Sequence, residues 1–333
     1  MDSQFLIHGL LMHTSFLRRL VTATLAFTAF SAVAAYPEKP ITLVVPYAPG
    51  GMGTTFGNLV ADGLSPLLGQ RVLVDFKPGA NGSLGATAVA RSPADGYTLL
   101  MAVNSTMAIN PNLYPKLTFD PVRDFTPISM VFTSANVLVV NASSPLKSVG
   151  DLVAYAKANP GKATYGSSGN GATPHLSGEL FRRLADVPVV HIPYKGIGPA
   201  LVDLIGGQLD FIFSDTSALA HVASGKLRAL AVTSPKRLGV APNLPTMQET
   251  GLKGFVIQTW YSLVAPAGTP VDVVERLNKE MAKLLASTEF RSRLAAVGVD
   301  PAEDTSSQYL ARTIQQDLAF WRKFTAESQI RMD

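Results

Sequence analysis

The 333-residue chain is 47 % hydrophobic and 16 % charged, which is ample for a packed core and fits one large domain or two modest ones. With no cysteine, it excludes disulfides, thiol catalysis and Cys-based metal sites. The formal net charge of +4 is mild and spread along the sequence, which argues against a nucleic-acid groove.

At the start, Arg18 and Arg19 precede an apolar run over residues 20–30, and small residues follow to Ala35. Positive, apolar, then small is the order of a secretory signal. Residues 1–35 are therefore expected to be a signal peptide and the mature chain to be exported, starting near Tyr36. The apolar run is too short to span a bilayer comfortably, and no later stretch reaches about 18 apolar residues.

Residues 41–45 are a β-branched run between prolines, which reads as a strand buried on both faces. Pro49, Gly50 and Gly51 force a tight loop, and Thr54 or Thr55 is placed to cap a helix over 56–68. Strand, Gly-rich turn and helix N-terminus together make an anion site, because free N–H groups and the positive end of the helix dipole converge there. The same turn also serves plain βα geometry. It matches neither GxGxxG nor a phosphate loop, so a carboxylate fits as well as a phosphate.

Further strands are expected at 71–76 and 97–103, with a small-residue helix at 83–90 between them. Asn104, Ser105 and Thr106 directly follow the second of these strands, where open α/β sheets bind ligands; capping the next helix is the alternative role. Strands at 125–132 and 137–140 join near Ser134, and a helix capped by Ser148 follows. Residues 162–173 then repeat the first motif: a strand end, a Gly/Ser/Thr loop, and a helix from about Pro174. Their hydroxyls and N–H groups also suit an anion, and the two loops can face each other across a cleft. Strands at 189–193, 209–213 and 227–232 alternate with short helices, which predicts a parallel, doubly wound α/β sheet. A strand at 256–264 carries the chain back, and Thr269-Pro270 opens an amphipathic helix, with two more helices closing the chain.

Little in this pattern supports catalysis. Ser167 and Ser168 have His175 and His191 nearby in sequence, but GxSxG fails because Asn170 stands where glycine is needed. No metal site is expected, since the mature chain holds only His175, His191 and His221 and no HExxH. His175 reads as a capping or ligand-facing donor, Lys195 as solvated, Asp215 as a ligand contact or a cap, and Trp260 and Tyr261 as packing where the chain recrosses.

Seven blocks recur in a recognisable order: Val45-Pro46-Tyr47-Ala48-Pro49-Gly50-Gly51, Asp95-Gly96-Tyr97-Thr98-Leu99-Leu100, Ala108-Ile109-Asn110-Pro111, Asp124-Phe125-Thr126-Pro127-Ile128, Tyr194-Lys195-Gly196, residues 225–234, and Ala265-Pro266-Ala267-Gly268-Thr269-Pro270. Together they resemble the Bug family, the periplasmic substrate-binding proteins of tripartite tricarboxylate transporters, over essentially the whole mature chain. The resemblance implies a two-domain, type II periplasmic-binding-protein fold with a ligand cleft between domains 36–134 plus 260–333 and 135–259. It implies a monomeric receptor without cofactor or catalysis, which captures a small carboxylate in the periplasm and delivers it to membrane permease subunits. A ligand-sensing partner of a membrane signalling protein is the alternative role, and an α/β hydrolase-like esterase a more distant one. Carried over by position, ligand contacts fall on Tyr47, Ala48, Gly51 and Thr54, on Asn104, Ser105 and Thr106, on Ser167, Ser168, Gly169, Thr173 and His175, and on Asp215 and Thr216. Thr54 stands where the family often has an acid and Met107 where it often has histidine. The first departure favours a simple carboxylate over an amino acid, and the second suggests an apolar wall to the site.

Overall fold

The computed structural model describes residues 36–328 except 48, 50, 51 and 115. The expected signal peptide therefore lies outside the described residues. Among those described, no helix is long and apolar enough to cross a membrane. By contact, Lys39–Asp333 form one unit.

Strand β1 (Ile41–Val45) has Ile41, Leu43, Val44 and Val45 buried, and it pairs in parallel with β2 (Val72–Phe76) and β3 (Thr98–Val103). Helix α1 (Met52–Leu68) links β1 to β2, and α2 (Ser83–Ala90) links β2 to β3. After β3 the chain forms a π-helical turn, Ser105–Ile109, and a short helix α3 (Asn110–Leu113). Strand β4 (Phe125–Ala135) then leads into β5 (Val137–Asn141), so the join falls at Asn136 rather than near Ser134.

Helix α4 (Val149–Ala158) begins at the expected cap, where the Ser148 Oγ accepts from the Asp151 N–H at 3.1 Å. Next come β6 (Thr164–Ser167), α5 (Thr173–Leu184), β7 (Val190–Pro193), α6 (Ile197–Ile205), β8 (Phe211–Ser214), α7 (Ala218–Ala223) and β9 (Leu227–Val232). The chain returns through β10 (Gln258–Pro266), helices α8 (Val271–Ala286) and α9 (Thr288–Ala296), a two-residue β11 (Asp300–Pro301) and α10 (Ser307–Ser328).

Two sheets result, in the orders β11-β4-β10-β3-β1-β2 and β7-β6-β8-β5-β9. The expected parallel cores are present, but both sheets are mixed. Strand β10 runs antiparallel to β3 and β4, and β5 runs antiparallel to β8 and β9. Both β5 and β10 lie where the chain has just passed from one sheet to the other, and the short β11 also runs antiparallel to β4. Pro127 sits in β4 beside a register shift between Leu263 and Val264, which accommodates its missing donor. Helices cover both faces of the second sheet. Tyr165, Phe211 and Phe213 pack with α4 and α5 on one face, and Val137, Val139 and Ile212 pack with α6 on the other. The first face also receives Trp321 and Phe324 from α10, whose earlier Leu310 and Ile314 pack instead with Val44, Leu100 and Trp260.

Two expected caps are corrected. Thr54 and Thr55 lie inside the first turn of α1, which starts at Met52. Thr269 does not cap α8, because its Oγ1 turns back to donate to the Pro266 carbonyl at 2.8 Å.

The passages between the sheets are fastened by Thr233, which is fully buried. Its N–H donates to the Asn136 carbonyl at 2.9 Å, and the Asn136 N–H donates to its Oγ1 at 2.9 Å. The same Oγ1 donates to the Ile257 carbonyl at 2.5 Å, and the Ile257 N–H donates to the Thr233 carbonyl at 3.0 Å. Thr233→Val removes the hydroxyl and leaves the buried Asn136 N–H and an Ile257 carbonyl lone pair unmet. We expect it to cost about 2 kcal/mol, read as a lower urea midpoint at unchanged slope. An unchanged midpoint would mean that the clasp adds nothing.

Candidate functional site

The carboxyl ends of β1, β3, β6 and β8 carry the sequence-predicted residues, and the first residues of β10 connect several of them. The Tyr47 hydroxyl bonds the Ser105 Oγ at 2.7 Å, joining the loops after β1 and β3. The Asn104 Nδ2 donates to the Gln258 carbonyl at 2.8 Å, and the Thr259 Oγ1 donates to the Thr173 Oγ1 at 3.4 Å. Tyr261 packs between Phe56, edge-on, and Phe132, tilted, with ring centroids 4.7 and 4.8 Å away. Burial raises the pKa of its hydroxyl, and the neighbouring Tyr47 and Asp215 raise it further. Tyr47, after β1, and Asp215, after β8, thus both act on one phenol. Gln258 and Thr259 join the candidate site and were missed by sequence reasoning, whereas Tyr261 packs as expected where the chain recrosses. Period-two alternation was their only trace: Trp260 points to α10, bonding Asp317, while Tyr261 points to Tyr47.

The β6–α5 loop is braced from within. The Ser167 Oγ accepts from the Gly169 N–H at 3.1 Å and bonds the His191 Nε2 at 2.7 Å. The Gly171 N–H donates to the His175 Nδ1 at 3.0 Å, and the two imidazoles stack with centroids 4.1 Å apart. Gly169 has φ +126°, a value L side chains rarely adopt. Ser167 and His175 are buried, so they shape the loop, while Ser168 is half-exposed and makes no side-chain hydrogen bond. Ser167 and His191 resemble a nucleophile–base pair. However, among the described residues no carboxylate bonds the imidazole, and Glu179 bonds Tyr165 and Arg182 instead.

Burial lowers the pKa of both histidines, and His175 adds to the effect on His191, which falls to about 4. A neutral ring is what the loop requires, since Gly171 needs an unprotonated Nδ1. The unfolded chain binds these protons at the ordinary histidine pKa of about 6.5, so stability is lost as pH falls from there toward about 4. Asp317 opposes this, because burial raises its pKa to about 6 and the fold then holds a proton the unfolded chain releases. The difference in Tm between wild type and His191→Gln isolates the histidine contribution. It should narrow as pH is lowered from about 7 to about 5, and a constant difference would refute the assignment.

Elsewhere the structure is selective. The Asp215 Oδ1 accepts from the Ser217 N–H at 3.0 Å and from the Ser217 hydroxyl, so it caps the turn into α7. The Thr216 Oγ1 donates to the Val297 carbonyl at 3.4 Å and packs on Gly298. Met107 is fully buried with Val44 and Leu100, so it belongs to the core and forms no wall of the site. Ala48 and Gly51 lie outside the described residues. Thr54 lies on the first turn of α1.

Three buried side-chain atoms among the described residues have no hydrogen-bond partner: Asn104 Oδ1, Thr106 Oγ1 and Ser214 Oγ. Asn104 and Thr106 follow β3, and Ser214 ends β8. Since Gly166 pairs with Ile212 in parallel, Ser214 is level with Ser168. Buried polar atoms are nearly always bonded, so these three exceptions, at strand carboxyl ends of the two sheets, are candidate contacts for a polar ligand.

Comparison with known proteins bears on the family and the fold. The family model described as the tripartite tricarboxylate transporter family receptor matches residues 57–329. The chain belongs to this receptor family. BugT of Bordetella pertussis is 37 % identical over 309 residues, covering 90 % of this chain and 95 % of that protein. The periplasmic binding protein BugD is 34 % identical with a TM-score of 0.76, covering 90 % of this chain and 100 % of that one. A protein of R. palustris solved with adipate is 35 % identical with a TM-score of 0.79, covering 89 % and 99 %. The expected Bug resemblance and the mixed α/β periplasmic-binding-protein fold both hold. The family and these neighbours are solute-binding proteins of the periplasmic-binding type.

Proposed function

We propose that the protein is an extracytoplasmic receptor that captures a small organic carboxylate and delivers it to the membrane permease of a tripartite transporter. The observation that carries this reading is the set of unpartnered atoms at the ends of β3 and β8. A carboxylate accepts only, so it suits the Thr106 and Ser214 hydroxyls and the free Ser168 hydroxyl as donors. The Asn104 Oδ1 also accepts only and is matched by a water or a ligand hydroxyl. Neutral donors suffice, because a carboxylate gathering two or three of them needs no cation. Ala48, Gly51 and Thr54 are further proposed ligand contacts.

The two sheets suggest domains of 36–134 plus 260–333 and of 135–259, which the chain crosses near Asn136 and just before Gln258. Capture closes them, since donors from both sides bond one ligand only when they are close. The kinship with an adipate-bound protein makes dicarboxylates the first class to test. A thermal-shift screen of the exported chain against mono-, di- and tricarboxylates and amino acids tests the reading. A hundredfold excess over Kd should add about 2.7 kcal/mol of apparent stability. A response to amino acids alone would overturn the carboxylate assignment.

A further inference from the structure

A separate cavity of about 280 Å³ opens between α10, β4 and the segment that leads into β10. Its lining includes Trp260, Trp321, Phe320, Tyr309 and Val256. Phe320 and Tyr309 line it while remaining 39 % and 37 % exposed. Such rings make a wall for an apolar body and present negative π-faces. Asp317 is the sole charged side chain in this lining. The Trp260 Nε1–H donates to its Oδ2 at 2.6 Å, and among the described residues no salt bridge reaches it. Burial raises its pKa to about 6 and no cation offsets the rise. At neutral pH the pocket therefore holds an ionised carboxylate without a counter-ion, among aromatic rings. Such an arrangement favours a positive occupant with an apolar body. A metal ion does not fit, because no group of three potential ligands occurs among the described residues.

We propose that this cavity binds a primary ammonium ion carrying an aryl or short alkyl body, its charge set against the Asp317 carboxylate and its body against Phe320 and Trp321. The site is independent of the carboxylate receptor reading. Its wall includes Gly254, Val256, Ile257 and Gln258, so the occupant would lie where the chain passes between the sheets.

The test is calorimetric titration of the whole exported chain with phenethylamine and with the uncharged 2-phenylethanol. We expect saturable binding of the amine, at least tenfold weaker binding of the alcohol, and a comparable loss for the amine in Asp317→Asn. Asparagine keeps an acceptor for the Trp260 indole, and the near-ultraviolet circular dichroism of that variant reports whether its packing survives. Should it not fold, the pH series of the wild type decides. Amine affinity should fall about tenfold between pH 7 and pH 5, as Asp317 takes up a proton.

Tyr309 is the other titratable group in the lining. An adjoining cavity that shares Met130, Thr133, Gln258 and Tyr309 holds Asp300, Glu303, Lys236, Arg237 and Arg291. A pH response that persists in a folded Asp317→Asn variant would belong to those groups and would overturn the proposal. Equal binding of amine and alcohol, or no saturation of either at millimolar concentration, would overturn it as well.

Discussion

Replacing Gly178 with alanine is expected to lower stability by about 3 kcal/mol and to disturb the β6–α5 loop. A Cβ at this position would lie 2.0 Å from the Cε2 and 2.3 Å from the Cζ of Tyr165. That overlap is relieved only if the ring moves, and the ring is caged. It is fully buried, it stacks on His191 and Phe211 at 4.9 and 5.6 Å, and its hydroxyl donates to the Glu179 Oε1 at 2.8 Å. Overpacking of this kind costs typically 1–3 kcal/mol, and a trapped aromatic ring puts the site at the upper end. For a chain of this size that corresponds to a fall in Tm of about 5 °C. His191 also holds Ser167, so a displaced Tyr165 reaches the site through one ring contact. Calorimetry on four proteins decides the cause. In a Tyr165→Leu background the clash is absent, and alanine is the better helix former by about 1 kcal/mol. Gly178→Ala should therefore be neutral or stabilising there. The same penalty in both backgrounds would place the cause elsewhere than the ring.

Much of the frame was legible because local chemistry decides it. The β1 run, and β9 apart from Arg228, are β-branched or apolar between turn residues, and Ser148 stands three residues before the Asp151 N–H that it caps. The parts missed are those set by distant partners. Helix α1 starts four residues earlier than expected, and glycines in its first two turns permit a close packing on β1 that has no local signal. A Cβ at Gly53 would lie 3.3 Å from the Tyr47 Cβ, and one at Gly57 would lie 2.6 Å from a Val45 methyl. Strand direction has no local signature, so β5 and β10 reverse within sheets that looked parallel. The candidate site shows the same division. Its loops were visible as Gly, Ser and Thr clusters after strands. Gln258 and Thr259 were not, because Gln258 takes part through its backbone carbonyl and Thr259 through a residue far off in sequence.

Thr106→Val should raise the stability of the unliganded protein by about 1 kcal/mol while weakening carboxylate binding tenfold or more. Thr106 is fully buried, and its Oγ1 makes no hydrogen bond of ordinary geometry, though it stands near enough to the Tyr47 hydroxyl to offset part of the rise that burial imposes on that group's pKa. Room for it depends on Gly82, where φ is +89° and an added Cβ would stand 2.6 Å from that oxygen. A buried hydroxyl without a partner costs about 1–3 kcal/mol, and valine fills the same space without a polar atom. A hydrogen bond to a charged group contributes about 1.5–3 kcal/mol, and each 1.4 kcal/mol is tenfold in affinity. The two effects thus have opposite signs, which a merely structural hydroxyl would not produce. Thr106→Ser keeps the donor and should retain most of the affinity. Urea unfolding without ligand and calorimetry with the best carboxylate of the screen measure the two halves separately. A valine variant that is less stable and binds as before would show that Thr106 is bonded within the fold. The case for ligand donors after β3 would then rest on Asn104 alone, whose free oxygen cannot donate to a carboxylate.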